Sequence, residues 1–469
     1  MSHCMALSIP NRLMLPIFAL LPQAALASPV DAGMNITHQP VGWLILALFA
    51  LAYALVVLEE RIGLRKSKPV MLAAALIWSL IGWQAAVTTA IPAEFAAQAF
   101  ERVFLEFAEL FFFLVAAMSF VAAMSERNLF EALRAELVVR RFGYRSLFWI
   151  TGAVSFLLSA VLDNLTTALI MSGVILAVGA GNPRFIALSF INVVVAANAG
   201  GAWCAFGDIT TLMVWQAHRL EFFDFFRIFL PSLVNWLVSA SCMHAALPKG
   251  FPPPGKDDAD VKYGGWMICV LFAFTIIITV ATRQFLHMPA VLGMLIGLAL
   301  LNLQGHFIRR HEMRADKDSG TYYDSIALVA RAEWDTLLFF LGVLLCVGGL
   351  ATAGFLALAS HDLYGRLGPT GANIALGTLS AVIDNIPIMY AVLQMHPVMD
   401  HGQWLLITLT AGVGGSLLSV GSAAGVALMG ASKGNYTFTS HLRWTWAIAL
   451  GYVCSIGLHL WLNGGYFAG

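Results

Sequence analysis

Two short stretches of this sequence repeat the same polar residues in the same order. Residues 159–164 read SAVLDN and residues 380–385 read SAVIDN, so each supplies a hydroxyl, a carboxylate and an amide. Hard oxygen ligands of this kind suit an alkali-metal cation. The Ser and Asp, four residues apart, are predicted to share one helix face, and the helix to end at the Asn. The residues predicted to bind an ion or a proton are Asp163, Asp384, Asn164, Asn385, Ser159, Ser380, Thr166 and Thr167, with the alkali cation at the two Asp-Asn pairs.

Two glycine-rich segments supply the predicted partners of those stretches. Residues 198–208 read NAGGAWCAFGD and residues 412–422 read GVGGSLLSVGS. Their glycines are predicted to unwind a membrane helix at mid-depth, which is tolerated only where the backbone is buried or lines a watery cavity. Each would place further oxygen atoms opposite an Asp-Asn pair. The residues of these discontinuous-helix sites are Asn198, Gly200, Gly201, Asp208, Gly414, Gly415, Ser416, Ser419 and Ser422.

The composition places these polar groups inside a membrane. Of 469 residues, 59% are hydrophobic and 11% are charged, and the mean hydropathy is +0.80. An ordinary soluble domain has about 25% charged residues, so a soluble globular protein is excluded, as is a disordered chain. The net charge is +0, and nothing indicates a nucleic-acid partner. We predict an all-α polytopic membrane protein, with the lipid bilayer as its surroundings and monovalent cations and protons as its ligands.

The apolar stretches divide the chain into five parts. Those beside Asp163 and Asp384 are short or interrupted, and we predict that each pair forms a re-entrant hairpin that returns to the side it entered from. Residues 13–27 end in Ala-Leu-Ala, a pattern typical of a cleavable signal peptide. The predicted parts are a signal peptide at 1–27, N-terminal spans at 42–90, a first transport repeat at 103–247 with its hairpin at about 147–180, linking spans at 265–303, and a second transport repeat at 334–463 with its hairpin at about 371–396.

The distribution of basic residues supports this topology. With both hairpins re-entrant, 20 of the 26 Lys and Arg residues fall in loops on one side and five on the other, while Arg12 lies in the presequence. The richer side is predicted to be cytoplasmic, and the membrane to be the bacterial inner membrane. If either hairpin were a single span, every later loop would change sides and the segregation would be lost.

The two halves share three matching blocks in the same order and with similar spacing. EFAELFFFL at 106–114 matches EWDTLLFFL at 333–341 upstream of the Asp-Asn pairs, and the glycine-rich segments match downstream of them. In the predicted topology the first hairpin enters from the cytoplasm and the second from outside. Similar sequences in opposite orientations make an inverted-topology repeat, the architecture of many secondary transporters.

Carboxylates inside a membrane are functional candidates because they are costly to bury. Asp163 and Asp384 recur in the repeat, and we interpret both as functional. Asp208 is equally compatible with a structural role. Glu106, Glu109 and Glu333 lie near predicted span ends, which favours an interfacial role for them. Six cysteines are scattered singly, and no HExxH, Walker A, GxSxG or CxxC motif occurs, so we predict neither an enzyme nor a cofactor.

At these residues the chain resembles the NhaD-type sodium/proton antiporters of the ion transporter superfamily. The resemblance rests on LDNLTTALIM at 162–171, on the block 182–216 and on SAVIDNIPIMYAVLQM at 380–395, and it extends from about residue 42 to 465. It implies an inverted-repeat fold with two re-entrant hairpins and two discontinuous helices. The superfamily also contains arsenite permeases and sodium-coupled dicarboxylate carriers, whose hairpin tips carry Ser-Asn-Thr signatures. Here a carboxylate replaces the hydroxyl, which disfavours an organic anion.

The predicted function is export of Na⁺, and of Li⁺, in exchange for H⁺ by alternating access. The cation and the proton would compete for Asp163 and Asp384. Two alternatives remain open: an oxyanion or dicarboxylate carrier, which would need a basic residue near the hairpin tips that the sequence does not provide there, and a passive cation channel. A homodimer is also left open, since the sequence does not fix the oligomeric state.

Overall fold

The structure is a computed structural model in which every regular element of the described residues is a helix. The predicted signal peptide at 1–27 lies outside the described residues. Those residues are 34–88, 92, 94–140, 142–179, 181–252, 259–315, 322–330, 332–432 and 434–467, without the side chains of residues 60, 61 and 315.

The described residues form twenty α-helices. Those of the first half are α1 Pro40–Val57, α2 Glu59–Ile62, α3 Ser67–Val87, α4 Phe95–Glu126, α5 Leu129–Val139, α6 Tyr144–Leu158, α7 Asn164–Val178, α8 Pro183–Ala202, α9 Ile209–Gln216 and α10 Phe229–His244. Those of the second half are α11 Gly265–Leu286, α12 Ala290–Ala315, α13 Ser325–Ala330, α14 Trp334–Ala353, α15 Phe355–Leu379, α16 Asn385–Met395, α17 His401–Gly414, α18 Ala423–Ala431, α19 Phe438–Leu442 and α20 Thr445–Leu462.

Nine helical segments in the described part of the chain are long and apolar enough to cross a membrane. Together with the composition, they make the chain a multi-pass, all-helical membrane protein. The segments are Pro40–Val57, Ser67–Val87, Phe95–Glu126, Pro183–Ala202, Phe222–His244, Gly265–Leu286, Ala290–Arg314, Trp334–Ala353 and Thr445–Leu462.

The helices beside the first Asp-Asn pair are shorter than a span. α6 and α7 have 15 residues each, which is roughly 22 Å of helix against a hydrocarbon core of about 30 Å. α6 runs parallel to α8 and α7 runs antiparallel to it, so α6 and α7 form an antiparallel pair whose tip is residues 159–163. The contacts that fix these directions are Phe148–Asn192 and Phe156–Gly200 for α6, and Asn164–Asn198 and Gly179–Ile186 for α7.

The second Asp-Asn pair lies in a similar tip at residues 380–384, between α15 and α16. α15 bends at Gly368, which has a φ of 66° and precedes Pro369, so the arm that reaches the tip begins there. The left-handed φ suits glycine, which lacks a Cβ. α7 packs against α18, and α8 packs against α17, so the two halves interlock around the tips.

The two glycine-rich segments hold the breaks between α8 and α9 and between α17 and α18. Polar residues begin the second helix of each pair: Asp208 caps α9 together with Thr211, and Ser422 caps α18. Such side chains accept from N–H groups that the helix leaves unpaired. Gly200, Gly201 and Gly414 were predicted to unwind, but they are helical, and each break begins after Ala202 or Gly414.

Close packing explains why glycine occupies those helical positions. A Cβ at Gly200 would collide with the carbonyl oxygen of Phe156, and one at Gly414 with that of Gly377. The predicted single helix face for each Ser-Asp pair is also wrong. α6 and α15 end before the serines, and α7 and α16 begin after the aspartates, so Asp163 and Asp384 are helix N-caps. An N-cap Asp is favoured because its carboxylate can accept from the first turn.

Candidate functional site

The second tip meets the first break at Asp208. This aspartate is buried, and its Oδ1 accepts from the backbone N–H of Ile209 at 2.7 Å. Its Oδ2 accepts from Thr210 Oγ1 at 3.1 Å and from Asn385 Nδ2 at 2.5 Å. Residues 177 positions apart in the chain therefore share one buried hydrogen bond.

A second polar chain links the halves at Asn198 of α8. Its Oδ1 accepts from Asn164 Nδ2 of the first tip at 3.0 Å, and its Nδ2 donates to Ser422 Oγ of the second break at 3.1 Å. All three side chains are buried. Because unpaired buried polar groups are costly, these bonds fix how the tip and the two breaks pack together.

Both oxygens of Asp163 are held by one neighbour. Oδ1 accepts from the backbone N–H of Thr166 at 2.9 Å, and Oδ2 accepts from its hydroxyl at 2.7 Å. The first-tip carboxylate is therefore half-buried and already partnered within its own helix α7.

Asp384 is the N-cap residue of α16, and its side chain makes no capping hydrogen bond. The residue that corresponds to Thr166 in the second tip is Pro387, which has no backbone N–H and no hydroxyl to donate. One positive charge affects this carboxylate: Lys66, at the start of α3, interacts electrostatically with Asp384 and with Glu333. The sequence indicated no basic residue near the hairpin tips; this electrostatic interaction involves Lys66, which precedes a helix outside both repeats.

One cavity of about 280 Å³ brings the aspartates together. Asp163, Asp384 and Asp208 line it, along with Asn164 and Asn385. The aspartates do not close around one point, since no group of three His, Cys, Asp or Glu residues is placed to hold a metal ion anywhere in the described ranges. The cavity is instead a shared space, with carboxylate and amide oxygens from both tips and from one break on its wall.

The hydroxyls predicted as ligands make the same contact in both tips. Ser159 Oγ donates to the carbonyl oxygen of Ala197 at 2.7 Å, and Ser380 Oγ donates to that of Ala411 at 3.1 Å. Both serines are fully buried. Their protons are committed to the backbone, which leaves the oxygen lone pairs as the part that could face an ion.

The remaining predicted residues lie away from the shared cavity wall or serve the local fold. Thr167 is buried and lies 3.5 Å from the carbonyl oxygen of Leu162. Ser416 Oγ donates to the carbonyl oxygen of Val413 at 2.6 Å. Ser419 and Gly415 are buried in the second break.

Glu333 belongs to the cavity, although its place near a span end favoured an interfacial role. It stands just before the span Trp334–Ala353, lines the cavity with Thr336, and accepts from the Thr336 hydroxyl at 3.2 Å. Burial raises the pKa of Glu333, and the negative charge of Asp163 raises it further. Its alignment with Glu106 in the repeat was the sequence signal that could have identified it.

Comparison with known proteins identifies relatives along almost the whole chain. Residues 5–412 match the family model described as citrate transporter, CitMHS. The Na(+)/H(+) antiporter NhaD of Vibrio cholerae is 50% identical over 97% of this chain and 98% of its own length. That of Alkalimonas amylolytica is 49% identical over 96% and 95%. Sodium/proton antiporter 1 of Arabidopsis thaliana is 30% identical over 90% and 72%.

Proposed function

Because this chain belongs to the NhaD-type sodium/proton antiporters, a family of transporters and not of enzymes, we propose that it exports Na⁺ in exchange for H⁺. The observation that carries the proposal is the cavity shared by Asp163, Asp384 and Asp208. A carboxylate can hold either a cation or a proton, so one cavity with several carboxylates lets the two compete. Li⁺ has the same charge and ligand preference, and we propose that it is carried too.

In the proposed mechanism the paired aspartates exchange their ligand on each side of the membrane. On the cytoplasmic side Na⁺ displaces the proton, with Asn164 and Asn385 adding amide oxygens beside the carboxylates. Outside, a proton displaces Na⁺. Asp208 contributes from the first break, where Asn385 already touches it at 2.5 Å. Because Asp208 is hydrogen-bonded to Asn385 of the second tip, ion binding in one half would affect the structure of the other half.

The matching contacts of the two halves support an inverted repeat. A Cβ at Gly207 would lie 2.9 Å from the carbonyl oxygen of Ser159, and one at the corresponding Gly421 would lie 2.7 Å from that of Ser380. The hydroxyls of both serines donate to corresponding carbonyls. Such repeats commonly rock against each other to expose a fixed site alternately to the two sides.

The proposed orientation puts the cavity on the cytoplasmic side. Its lining includes Ser125 and Ala332, which adjoin loops rich in basic residues. With both tips re-entrant in the inner membrane, cysteines near residues 145 and 182 should both label from the cytoplasm, and cysteines near 368 and 399 should both label from the periplasm. Labelling of residues 145 and 182 from opposite sides of the membrane would contradict the inverted repeat.

A citrate or oxyanion carrier is the second candidate, and the citrate transporter model and Lys66 favour it. Four acidic side chains oppose it, since Glu333 lines the cavity with the three aspartates. A multiply charged anion would meet this negative field at every step, and one lysine does not balance it. A monovalent cation is attracted by the same field.

The decisive experiment uses purified protein in proteoliposomes with a preformed pH gradient. Addition of Na⁺ should collapse the gradient, and citrate in place of an inert anion should change nothing. A pH gradient should also drive Na⁺ uphill, which a passive channel does not permit. Collapse that depends on citrate, or Na⁺ movement that only follows its own gradient, would overturn the proposal.

A further inference from the structure

A second cavity, of about 290 Å³, lies on the other side of the tips. Glu106, Tyr390, Gln394 and Met213 line it, and it shares no lining residue with the cavity that holds the aspartates. In the proposed orientation it faces the periplasm, since Arg102 and Arg219 near it belong to the side that is poor in basic residues. The proposed ion path therefore has one cavity at each end, and packed side chains separate the two cavities.

Three helices connect the two cavities by continuous faces. On α16, Ile386 lines the aspartate cavity, and Tyr390 and Gln394 line the second one. These positions are four residues apart, so they share one face of the helix.

The same succession occurs on two neighbouring helices. On α9, Ile209 lines the first cavity and Met213 the second; on α4, Leu114 lines the first, and Leu110 and Glu106 the second. Leu110, Met213 and Ile386 are buried. The path between the two cavities thus runs between α4, α9 and α16. We call this contact region the seam; its apolar side chains close the path.

Glu106 fastens this seam on the periplasmic side. Its Oε2 accepts from Tyr390 Oη at 2.8 Å and from Gln394 Nε2 at 3.1 Å. Both donors lie on α16, the helix whose N-cap is Asp384. Hydrogen bonds to a charged acceptor are stronger than neutral ones, so this pair is a specific tie between α4 and the outer arm of the second tip.

The corresponding glutamate of the second half makes no such tie. Glu333 aligns with Glu106, and among the described residues it accepts a hydrogen bond from Thr336 of its own helix and none from α7. Beside Glu333 a cavity therefore reaches the aspartates. Beside Glu106 hydrogen bonds hold α4 against α16, and the path from the second cavity to the aspartates is closed.

We infer that Glu106 is a positioning residue for exchange: by binding Tyr390 and Gln394 it holds α16 against α4 and keeps the aspartates closed to the periplasm. The tie must break for the site to face outward. This inference rests on the proposed function, because it assigns the tie to one of the two states that exchange requires. Breaking it should favour the outward-facing state and depopulate the state that takes Na⁺ from the cytoplasm.

The test follows a cysteine at Met213, which is 3% exposed on the floor of the second cavity. In a background without the native cysteines, Met213→Cys is labelled from outside with a membrane-impermeant maleimide. Glu106→Gln and Tyr390→Phe should each speed labelling about tenfold, the change for one lost hydrogen bond to a charged group. Glu101→Gln, an exposed position on the same helix α4, is the matched control and should label as slowly as the parent.

Exchange kinetics distinguish a positioning role of the Glu106 hydrogen bonds from a purely structural one. In everted vesicles, Glu106→Gln and Tyr390→Phe should raise the half-saturating cytoplasmic Na⁺ about tenfold with maximal rates within about twofold, because fewer molecules face inward. The double variant should add nothing to the larger single effect, since both residues form one tie. Tyr390→Phe removes only a hydroxyl, so it serves if the glutamate variant folds poorly.

Two results would overturn the inference. One is labelling and half-saturation that stay at parental values in both variants; the other is equal acceleration in Glu101→Gln, which would mean general loosening of α4. Failure of the proposed function is seen separately. It appears as absence of Na⁺-driven proton movement in the parent, whereas the labelling comparison needs no transport.

Discussion

The two tips are built alike, yet their carboxylates are in different situations. In both, a serine donates to a carbonyl oxygen of the following broken helix, and a glycine of the break packs against that serine's own carbonyl. Asp163, however, is held through both oxygens by Thr166, whereas Asp384 has no side-chain cap. The difference comes from one position, where the second tip has Pro387 in place of the threonine.

The breaks differ in the same sense. Asp208 in the first break corresponds to Ser422 in the second, so the carboxylate touched by a tip amide lies on one side only. The backbone frame and the tip aspartates are duplicated, but Asp208 and the hydrogen-bond partners of the tip aspartates are not. The duplicated frame therefore positions the candidate site in both halves, while a few side chains that differ between the halves set how each carboxylate is partnered.

Removing either tip charge is the strongest way to test this comparison. Asp384→Asn and Asp163→Asn should each lower Na⁺-dependent collapse of the pH gradient by at least about 100-fold, because the titrating group is lost. Asn is itself a good N-cap, so the helices should persist. Circular dichroism and size-exclusion profiles at parental values are the control. Wild-type exchange in Asp163→Asn would remove the first-tip carboxylate from the mechanism.

The shared frame should be equally sensitive in both halves. Gly200→Ala and Gly414→Ala place a methyl group against a carbonyl oxygen, and overpacking of this kind costs about 1–3 kcal/mol. Both should lower the thermal midpoint of the purified protein by similar amounts. Gly173→Ala and Gly430→Ala, where nothing lies within 4 Å, are the matched controls. Loss of stability in one half only would mean that the halves are not packed alike.

Exchanging the residues that distinguish the tips should shift ion affinity in opposite directions. Thr166→Val frees one oxygen of Asp163 and should lower the half-saturating Na⁺ about tenfold, whereas Pro387→Thr should raise it about as much by capping Asp384. Initial rates of exchange against Na⁺ concentration measure both. Thr378→Val, at an exposed position of α15, should change neither value. A rise in Thr166→Val would instead make its hydroxyl a direct ligand of the ion.

The smallest effects are expected at the serines, where the tips agree. Ser159→Ala and Ser380→Ala each remove one neutral hydroxyl and should raise the half-saturating Na⁺ about two- to fivefold, with little loss of maximal rate. Titration of exchange against Na⁺ in the same proteoliposomes gives both numbers. A change in maximal rate alone would argue against coordination by these oxygens, and unequal effects would limit the symmetry to the backbone.

Local sequence patterns predicted much of this architecture. The glycine-rich segments indicated where α8 and α17 break, and the repeated Asp-Asn pairs indicated the tips, because both signals depend on neighbours in the chain. The ends of the tip helices were misplaced, since a Ser and an Asp at helical spacing also fit a helix end followed by an N-cap. Gly200 and Gly414 were assigned to unwinding when their role is close packing.

Contacts between distant residues could not be predicted in the same way. Asn385 reaches Asp208, Asn198 reaches Ser422, and Tyr390 reaches Glu106 only because the halves interlock. Lys66 affects Asp384 from a helix outside both repeats. The sequence separation of these pairs does not indicate that they are in contact. Each contact is seen only in the three-dimensional structure.

The bond between Asp208 and Asn385 also has a consequence for biosynthesis. The amide follows the carboxylate by 177 residues, which a ribosome adds in roughly 9–35 s at 5–20 residues per second. Throughout that interval the nascent first half carries a carboxylate without the partner that the finished molecule provides. The emerging chain must keep this group hydrated or protonated until the second tip arrives. Truncation products that end before residue 385 should therefore be preferred substrates of membrane quality-control proteases.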